Sequence, residues 1–304
     1  MKTPRVAALH DVAGVGRCSL AVIAPALSAM GSQCCPLPTA VLSSDTGGFG
    51  EVSFLDLTQE MGRIAAQWKR LDLTFDAIYS GFLGSEDQIA VVEDFFSQFG
   101  GRGGLRVVDP VMADHGKLYR TYTPGMCAGM GRLVRGADLI TPNLTEAAIL
   151  LDESPDALLT GALDAEQAAL RLSRGGECSV VLTGYSREPG TVGALCFDRE
   201  TGALTPVQTG EEPGAYPGTG DLFTSVLLGG LLRGAGLAGA AQGAAEFIRE
   251  CIRATNAQGT EPRYGVAFET QYFPNAINIP SFPQPLEKAG ETVKTSTVYK
   301  FTTV

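Results

Sequence analysis

Short runs of consecutive apolar residues alternate with longer stretches whose apolar positions recur every three or four residues. The continuous runs predict strands at 6–9, 33–42, 76–80, 105–108, 138–141 and 179–183. Strands with no alternating polar face are those that a sheet covers on both sides. The first is expected to end in a Gly-containing turn at 10–16, and the second carries Pro36 and Pro38. A polar, Gly-rich loop is expected at 43–50. The periodic stretches predict helices. In 19–30, Leu20, Ile23, Ala24 and Leu27 share one face, and Gly31 follows the end. In 85–99, Ile89, Val92, Phe95 and Phe96 form the inner face. Further helices are expected at 57–71, 125–134, 145–151 (opening after Asn143), 164–174, 221–232 and 237–254. Segments 192–197 and 203–207 flank Arg199-Glu200-Thr201-Gly202 and predict an antiparallel pair.

This alternation predicts an α/β fold: a central, mostly parallel sheet with helices on both faces and a small antiparallel edge. Residues 1–270 are expected to form a single domain. After about Thr270 the chain becomes Pro-rich and loses its period, so 271–304 is expected to be an extended or partly disordered tail.

Composition narrows the partners more than the fold. With 44% hydrophobic and 18% charged residues, the 304-residue chain can build a substantial core. A net charge of −10 and the lack of a basic stripe argue against a nucleic-acid partner. The seven cysteines are odd in number and contain no C-x-x-C pair, which points to reduced thiols rather than a zinc or disulfide framework. No signal-peptide core opens the chain, and no run of about 18 apolar residues suggests a membrane span. A cytoplasmic protein that binds small molecules is the expectation.

Ligands of parallel α/β sheets bind beyond the carboxyl ends of the strands. The residues at those places are His10-Asp11, Ser43 to Thr46, Gly81-Phe82, Asp109 to Asp114, Thr141 to Asn143, Thr183-Gly184 and Gly218 to Asp221. Pro217-Gly218-Thr219-Gly220-Asp221 directly precedes an apolar helix. Its glycines let backbone N–H groups approach an anion, and the helix start adds its dipole. Asp221 puts a carboxylate beside that anion hole, where it can accept a proton from an attacking hydroxyl. Phosphoryl transfer needs both parts. Taken alone, the segment fits a turn with an N-cap aspartate better than a catalytic site, because 38 glycines weaken any short Gly motif.

Other segments add to it. Asp109 and Asp114 flank Pro110-Val111-Met112-Ala113, and two carboxylates near a cleft suit Mg²⁺, directly or through water. The alternative there is a Pro-containing turn. In Thr141-Pro142-Asn143-Leu144-Thr145-Glu146, Asn143 or Thr145 can cap a helix while Glu146 holds a water on Mg²⁺. A Walker A loop, the protein-kinase motifs and a G-x-S-x-G elbow are all missing from the sequence.

Together these segments resemble the ribokinase superfamily, and within it the pyridoxal/pyridoxamine kinases. The likeness runs from about Val6 to Thr255. It rests on Ser43-Ser44-Asp45-Thr46-Gly47-Gly48, Ser80-Gly81-Phe82-Leu83-Gly84-Ser85, Val108-Asp109-Pro110-Val111-Met112, the 141–146 segment and Gly218-Thr219-Gly220-Asp221-Leu222-Phe223. The run from His10 to Ser19 resembles the variant of bacterial pyridoxamine kinases. The resemblance implies that Asp221 activates the 5′-hydroxymethyl group of a B6 vitamer, with Gly218, Thr219 and Gly220 as the anion hole. It implies ATP contacts at Asp109, Thr141, Glu146, Thr183, Gly184 and the flap residue Tyr119. Asp109, Asp114 and Glu146 would serve Mg²⁺, and His10, Asp11, Asp45, Thr46 and Phe82 would meet the acceptor. It also implies a homodimer and, in many members, K⁺.

Three positions depart from the family. His10-Asp11 replaces a common Ser, Phe82 replaces a Tyr, and Asp45 replaces a frequent His. The extra carboxylates suit an amine-bearing acceptor such as pyridoxamine. The flap cysteine of relatives that also phosphorylate hydroxymethylpyrimidine is missing between Asp109 and Met126. A hydroxymethylpyrimidine kinase of thiamine synthesis is therefore the second reading. A non-catalytic vitamin- or nucleotide-binding member is the third, disfavoured by the intact Gly218-Thr219-Gly220-Asp221.

Overall fold

Val6, Ala7, Ala8 and Leu9 are fully buried, and they open β1 (Arg5–Ala13). In the computed structural model, which describes residues 3–46 and 50–257, β1 pairs in parallel with β2 (Gln33–Leu42) and β4 (Ala77–Ser80). Outward from β4 lie β5 (Leu105–Val108), β8 (Leu139–Ile140) and β9 (Ser179–Tyr185), all parallel. β10 (Thr191–Phe197) and β11 (Leu204–Gly210) close that side antiparallel, and β3 (Phe54–Asp56) closes the other. The resulting nine-stranded order is β11-β10-β9-β8-β5-β4-β1-β2-β3. This is the expected α/β architecture, with short antiparallel edges on a parallel centre. β3 pairs only with Ala40, Val41 and Leu42, so Pro36 and Pro38 fall where β2 is still an edge. A sheet tolerates a missing N–H there.

Successive strand residues point to opposite faces, and each face feeds its own core. Val6, Ala8 and Tyr79 pack against Ile23 of α1 (Leu20–Ala29), Leu227 of α7 (Thr219–Leu232) and Ala241 of α8 (Leu237–Ala257). Leu9, Ile78, Val108 and Ile140 pack against the other helix layer. That layer holds α2 (Thr58–Arg70), α3 (Glu86–Phe99), α4 (Pro124–Arg135), α5 (Leu144–Leu150) and α6 (Ala165–Leu172). No helix among the described residues is long and apolar enough to cross a membrane.

Two expectations change. The turn at 10–16 gives way to strand through Ala13, so His10 and Asp11 are strand residues, with a register irregularity between His10 and Val12. A small hairpin of β6 (Ala113–Asp114) and β7 (Lys117–Leu118) follows β5. Its tip, His115-Gly116, has positive φ at both residues (49° and 75°), as a two-residue hairpin turn requires. A division of the chain separates Met1–Arg263 from Tyr264–Val304. The expected tail at 271–304 lies outside the described residues.

Candidate active site

The parallel strands carry their last residues to one rim, where a cleft of about 1010 Å³ opens. Asp11, Asp45, Thr46 and Phe82 line it, with Asp114, Tyr119, Thr183, Gly184 and the 217–221 turn. The turn is built on backbone. Gly218 is the residue before α7, with φ 82°, and contributes no capping side chain. A helix start leaves its first N–H groups without intrahelical partners. They open here beside the Asp221 carboxylate, as an anion site needs.

Asp221 is held from below. Its Oδ2 accepts a hydrogen bond from the Ser19 N–H at 2.7 Å, and its Oδ1 lies 3.9 Å from His10 Nδ1. The His10 ring is fully buried and stands edge-on to Tyr79, with centroids 4.2 Å apart. Gly81 leaves room for it: a Cβ there would stand 2.2 Å from the imidazole Cε1. Burial depresses the His10 pKa to about 3, so the ring is neutral. Burial pushes the Asp221 carboxyl up to about 6, opposed by the Ser19 N–H and reinforced by the charge of Asp11. A carboxyl poised there is ionised at neutral pH yet basic enough to take a proton.

A second acidic group sits behind the first. Glu146 Oε1 accepts from the Met112 N–H at 3.1 Å, and Oε2 from the Asn143 N–H at 2.9 Å. Asn143 Oδ1 accepts from the Glu146 N–H at 2.9 Å, completing a capping box at the start of α5. Asn143 Nδ2 also donates to the Ala113 carbonyl, and the Gly116 N–H donates to Thr145 Oγ1 at 2.9 Å. These bonds fasten the β6–β7 hairpin to the helix. Burial raises both Asp109 and Glu146 above the carboxyl range, and repulsion from Glu146 and Asp221 adds to the shift of Asp109.

The sequence pattern of the phosphomethylpyrimidine kinase family matches residues 25–265, which include Asp109, Glu146 and the turn before α7. The chain belongs to this family. A pyridoxine/pyridoxal/pyridoxamine kinase of Bordetella avium is 32% identical over 77% of this chain and 79% of its own length. A Bacteroides thetaiotaomicron crystal structure, provisionally called a phosphomethylpyrimidine kinase and containing pyridoxal, is 42% identical with a TM-score of 0.77. That match covers 88% of this chain and 91% of the other. Pyridoxal kinase from Lactobacillus plantarum superposes with a TM-score of 0.80 at 32% identity, over 88% and 94% of the two chains. The chain spans less of a Schizosaccharomyces pombe relative provisionally named a pyridoxal kinase: 46% of its length, at 29% identity. The ribokinase-like, pyridoxal kinase-like resemblance is thereby borne out.

Within this phosphomethylpyrimidine kinase family member, the expected site residues divide into two groups. Asp11, Asp45, Thr46, Phe82, Asp114, Tyr119, Thr183, Gly184 and Gly218 through Asp221 line one cleft. His10, expected to meet the acceptor, is instead buried behind Asp221, because β1 continues through it. Thr141, expected at the nucleotide, is buried, and its hydroxyl accepts from Thr224 Oγ1 of α7 at 3.2 Å. Gly47 and Gly48 of the 43–48 motif lie outside the described residues. Of the expected Mg²⁺ carboxylates, Asp109 and Asp114 are each close enough to Glu146 to repel it. Among the described residues, no group of three or more His, Cys, Asp or Glu side chains is placed to hold a metal ion. Glu146 spends its oxygens on backbone N–H groups, and Asp114 sits half-exposed on the hairpin, accepting from the His115 N–H. Ser19 was missed altogether, because its backbone rather than its side chain meets Asp221.

The crowded carboxyls of this kinase-family member set a stability test. A carboxyl whose folded pKa is raised takes up a proton on folding, so stability falls as pH rises from the unfolded value of 3.8 toward the folded one. His10 acts in the opposite direction, but only below its unfolded pKa of 6.5. Between pH 6.5 and about 8, the value to which burial pushes Glu146, the carboxyls therefore dominate. Asp109→Asn is expected to raise the melting temperature of the ligand-free protein at pH 8 and to flatten its pH dependence across that window. Scanning calorimetry at several pH values checks this, and an unchanged slope would remove the crowding account.

Proposed function

We propose that the protein is an ATP-dependent kinase that phosphorylates the 5′-hydroxymethyl group of a B6 vitamer in B6 salvage. The observation that carries the reaction is Asp221, a raised-pKa carboxylate at the uncapped start of α7 in the rim cleft. The acceptor hydroxyl gives its proton to Asp221. Its oxygen bonds to the γ-phosphorus as the bond to the departing ADP oxygen breaks. The N–H groups at the start of α7 receive the charge spread over the transferred group. Tyr119 and the hairpin stand on the same cleft, where they would cover the nucleotide and exclude water. Thr183 and Gly184 would lie along it.

The cleft suits Mg²⁺ brought in with the nucleotide phosphates better than an all-protein cage. Asp109 is buried among like charges that a cation would relieve, and Asp114 stands at the cleft wall. Those two side chains would hold it, and the ion would neutralise phosphate charge. A cytoplasmic homodimer, with K⁺ as a further ion, completes the proposal.

The B6 reading is favoured over hydroxymethylpyrimidine by the 42% identity to a chain containing pyridoxal and by the 32% identity to the Bordetella kinase. Asp11 and Asp45 are both buried in the cleft wall and add negative charge where an acceptor amine would be recognised. A panel of pyridoxamine, pyridoxal, pyridoxine and hydroxymethylpyrimidine, assayed with ATP and Mg²⁺, tests this. Pyridoxamine is expected to give the highest kcat/KM, and Asp11→Asn or Asp45→Asn to lower its ratio to pyridoxal. A higher kcat/KM for pyridoxal, with the ratio unmoved by both variants, would sink the amine preference. A preference for the pyrimidine alcohol would transfer the enzyme to the second reading.

A further inference from the structure

We propose that Asp11 and Ser19 form a positioning pair for the base: Asp11 anchors the Ser19 hydroxyl, and Ser19 so anchored aims its backbone N–H at the Asp221 carboxylate. The inference rests on the reading of Asp221 as the base of phosphoryl transfer. Ser19 Oγ donates to Asp11 Oδ1 at 2.5 Å, and the Ser19 N–H donates to Asp221 Oδ2 at 2.7 Å. Both residues are buried.

The conformation of Ser19 marks it out. It precedes α1, where a serine ordinarily takes an extended backbone and caps the helix with its hydroxyl. Here φ is 53° and ψ −138°, and the hydroxyl makes no capping bond. Four other described non-glycine residues have positive φ: His115 in its hairpin turn, and Asp72, Asp152 and Arg174. Each of those three lies within two residues of the end of a helix, at Arg70, Leu150 and Leu172. Among the described non-glycine residues, Ser19 alone holds such a backbone at a helix start. A strained conformation persists only where its surroundings fix it. Asp11 is the side chain that does so, and the outcome of the strain is the N–H on Asp221. Gly218 stacks on the preceding Arg17 and Cys18 backbone, so the same short loop meets α7 twice.

The groups facing Asp221 are His10, Asp11, Cys18, Tyr79, Asp109 and Tyr119. The two members of the pair act on its pKa with opposite sign: the Ser19 N–H lowers it and the Asp11 charge raises it. Opposite signs separate positioning from mere support of the fold.

The test uses the full chain with ATP, Mg²⁺ and whichever alcohol the wild type turns over best. Ser19→Ala is expected to lower kcat by roughly 10- to 100-fold, with both KM values within about twofold. Its acid limb should move to higher pH. Ser19→Gly should recover most of the lost kcat, because glycine takes a positive φ without an anchor. Asp11→Asn should move the acid limb to lower pH. Titration of the Asp221 carboxyl carbon by NMR should show the same two displacements without turnover. The pair is overturned if the Ser19→Ala loss lies wholly in KM, if Ser19→Gly is no better than Ser19→Ala, or if the two limbs move together. A preference for a pyrimidine alcohol would end the B6 reading and leave these measurements intact. Full activity in Asp221→Asn would end the pair as well.

Discussion

Asp221→Asn is expected to lower kcat by roughly 10²–10⁴-fold, the span of a positioned general base, with little change in KM for ATP. The amide keeps the size of the carboxylate and an oxygen that can still accept from the Ser19 N–H. What it loses is basicity. His10 cannot substitute, although it is neutral and 3.9 Å away, because its ring is fully buried and does not line the cleft. The same carboxyl sets the acid limb of the wild type. Burial raises it to about 6, and the ionised form is the active one, so kcat/KM should fall as pH drops through that value. The residual rate of Asp221→Asn should lack that limb. Steady-state kcat and kcat/KM across pH, with a melting curve to show the variant folded, check both. An unchanged kcat would remove Asp221 from the chemistry.

The strands were legible where turn-forming residues bound a mostly apolar run. β2 and β5 have the bounds that their apolar runs predict, since turn-forming residues end each run sharply. β1 was readable only as far as Leu9. His10 and Asp11 break the apolar pattern, and what makes them strand is tertiary: space over Gly81 for the imidazole and the Ser19 hydroxyl for the carboxylate. β6 and β7 are two residues each, too short for any period to register. His115-Gly116 was the available signal, since a glycine after a residue that tolerates positive φ suits a two-residue turn.

The site was legible as a set of strand-end segments, because one topology carries all those ends to one rim. Its internal wiring was not. Glu146 shows why. The pattern Asn143-x-x-Glu146 fits a capping box and a metal carboxylate equally well on paper. Only the backbone shows that both oxygens are engaged by N–H donors, one of them from Met112 in the segment after β5. Ser19 shows the converse, since a contact made by a main-chain amide leaves no mark on residue identity.

Gly218 before α7 and Gly220 in its first turn serve different purposes, and substitution should separate them. A Cβ on Gly218 would stand 1.9 Å from the Arg17 carbonyl oxygen and 3.0 Å from Cys18 Cα, both backbone atoms, at φ 82°. No rotamer relieves a clash with main chain. Gly218→Ala should therefore cost about 2–4 kcal/mol, combining backbone strain with overpacking. At roughly 2–4 °C per kcal/mol for a domain of this size, that is a clear fall in melting temperature. The start of α7 must also shift, and a displacement on the order of 1 Å at a reacting group lowers kcat by about 10²-fold. Gly220 is exposed, lies inside α7 and would meet nothing within 4 Å. Gly220→Ala should keep or slightly raise the melting temperature, because alanine is the better helix former. Its methyl would instead enter the cleft that the phosphoryl group must occupy, so kcat should fall while the fold holds. Equal melting temperatures for the two variants would show that Gly218 is not needed by the backbone, and full activity in Gly220→Ala would place the phosphoryl group elsewhere.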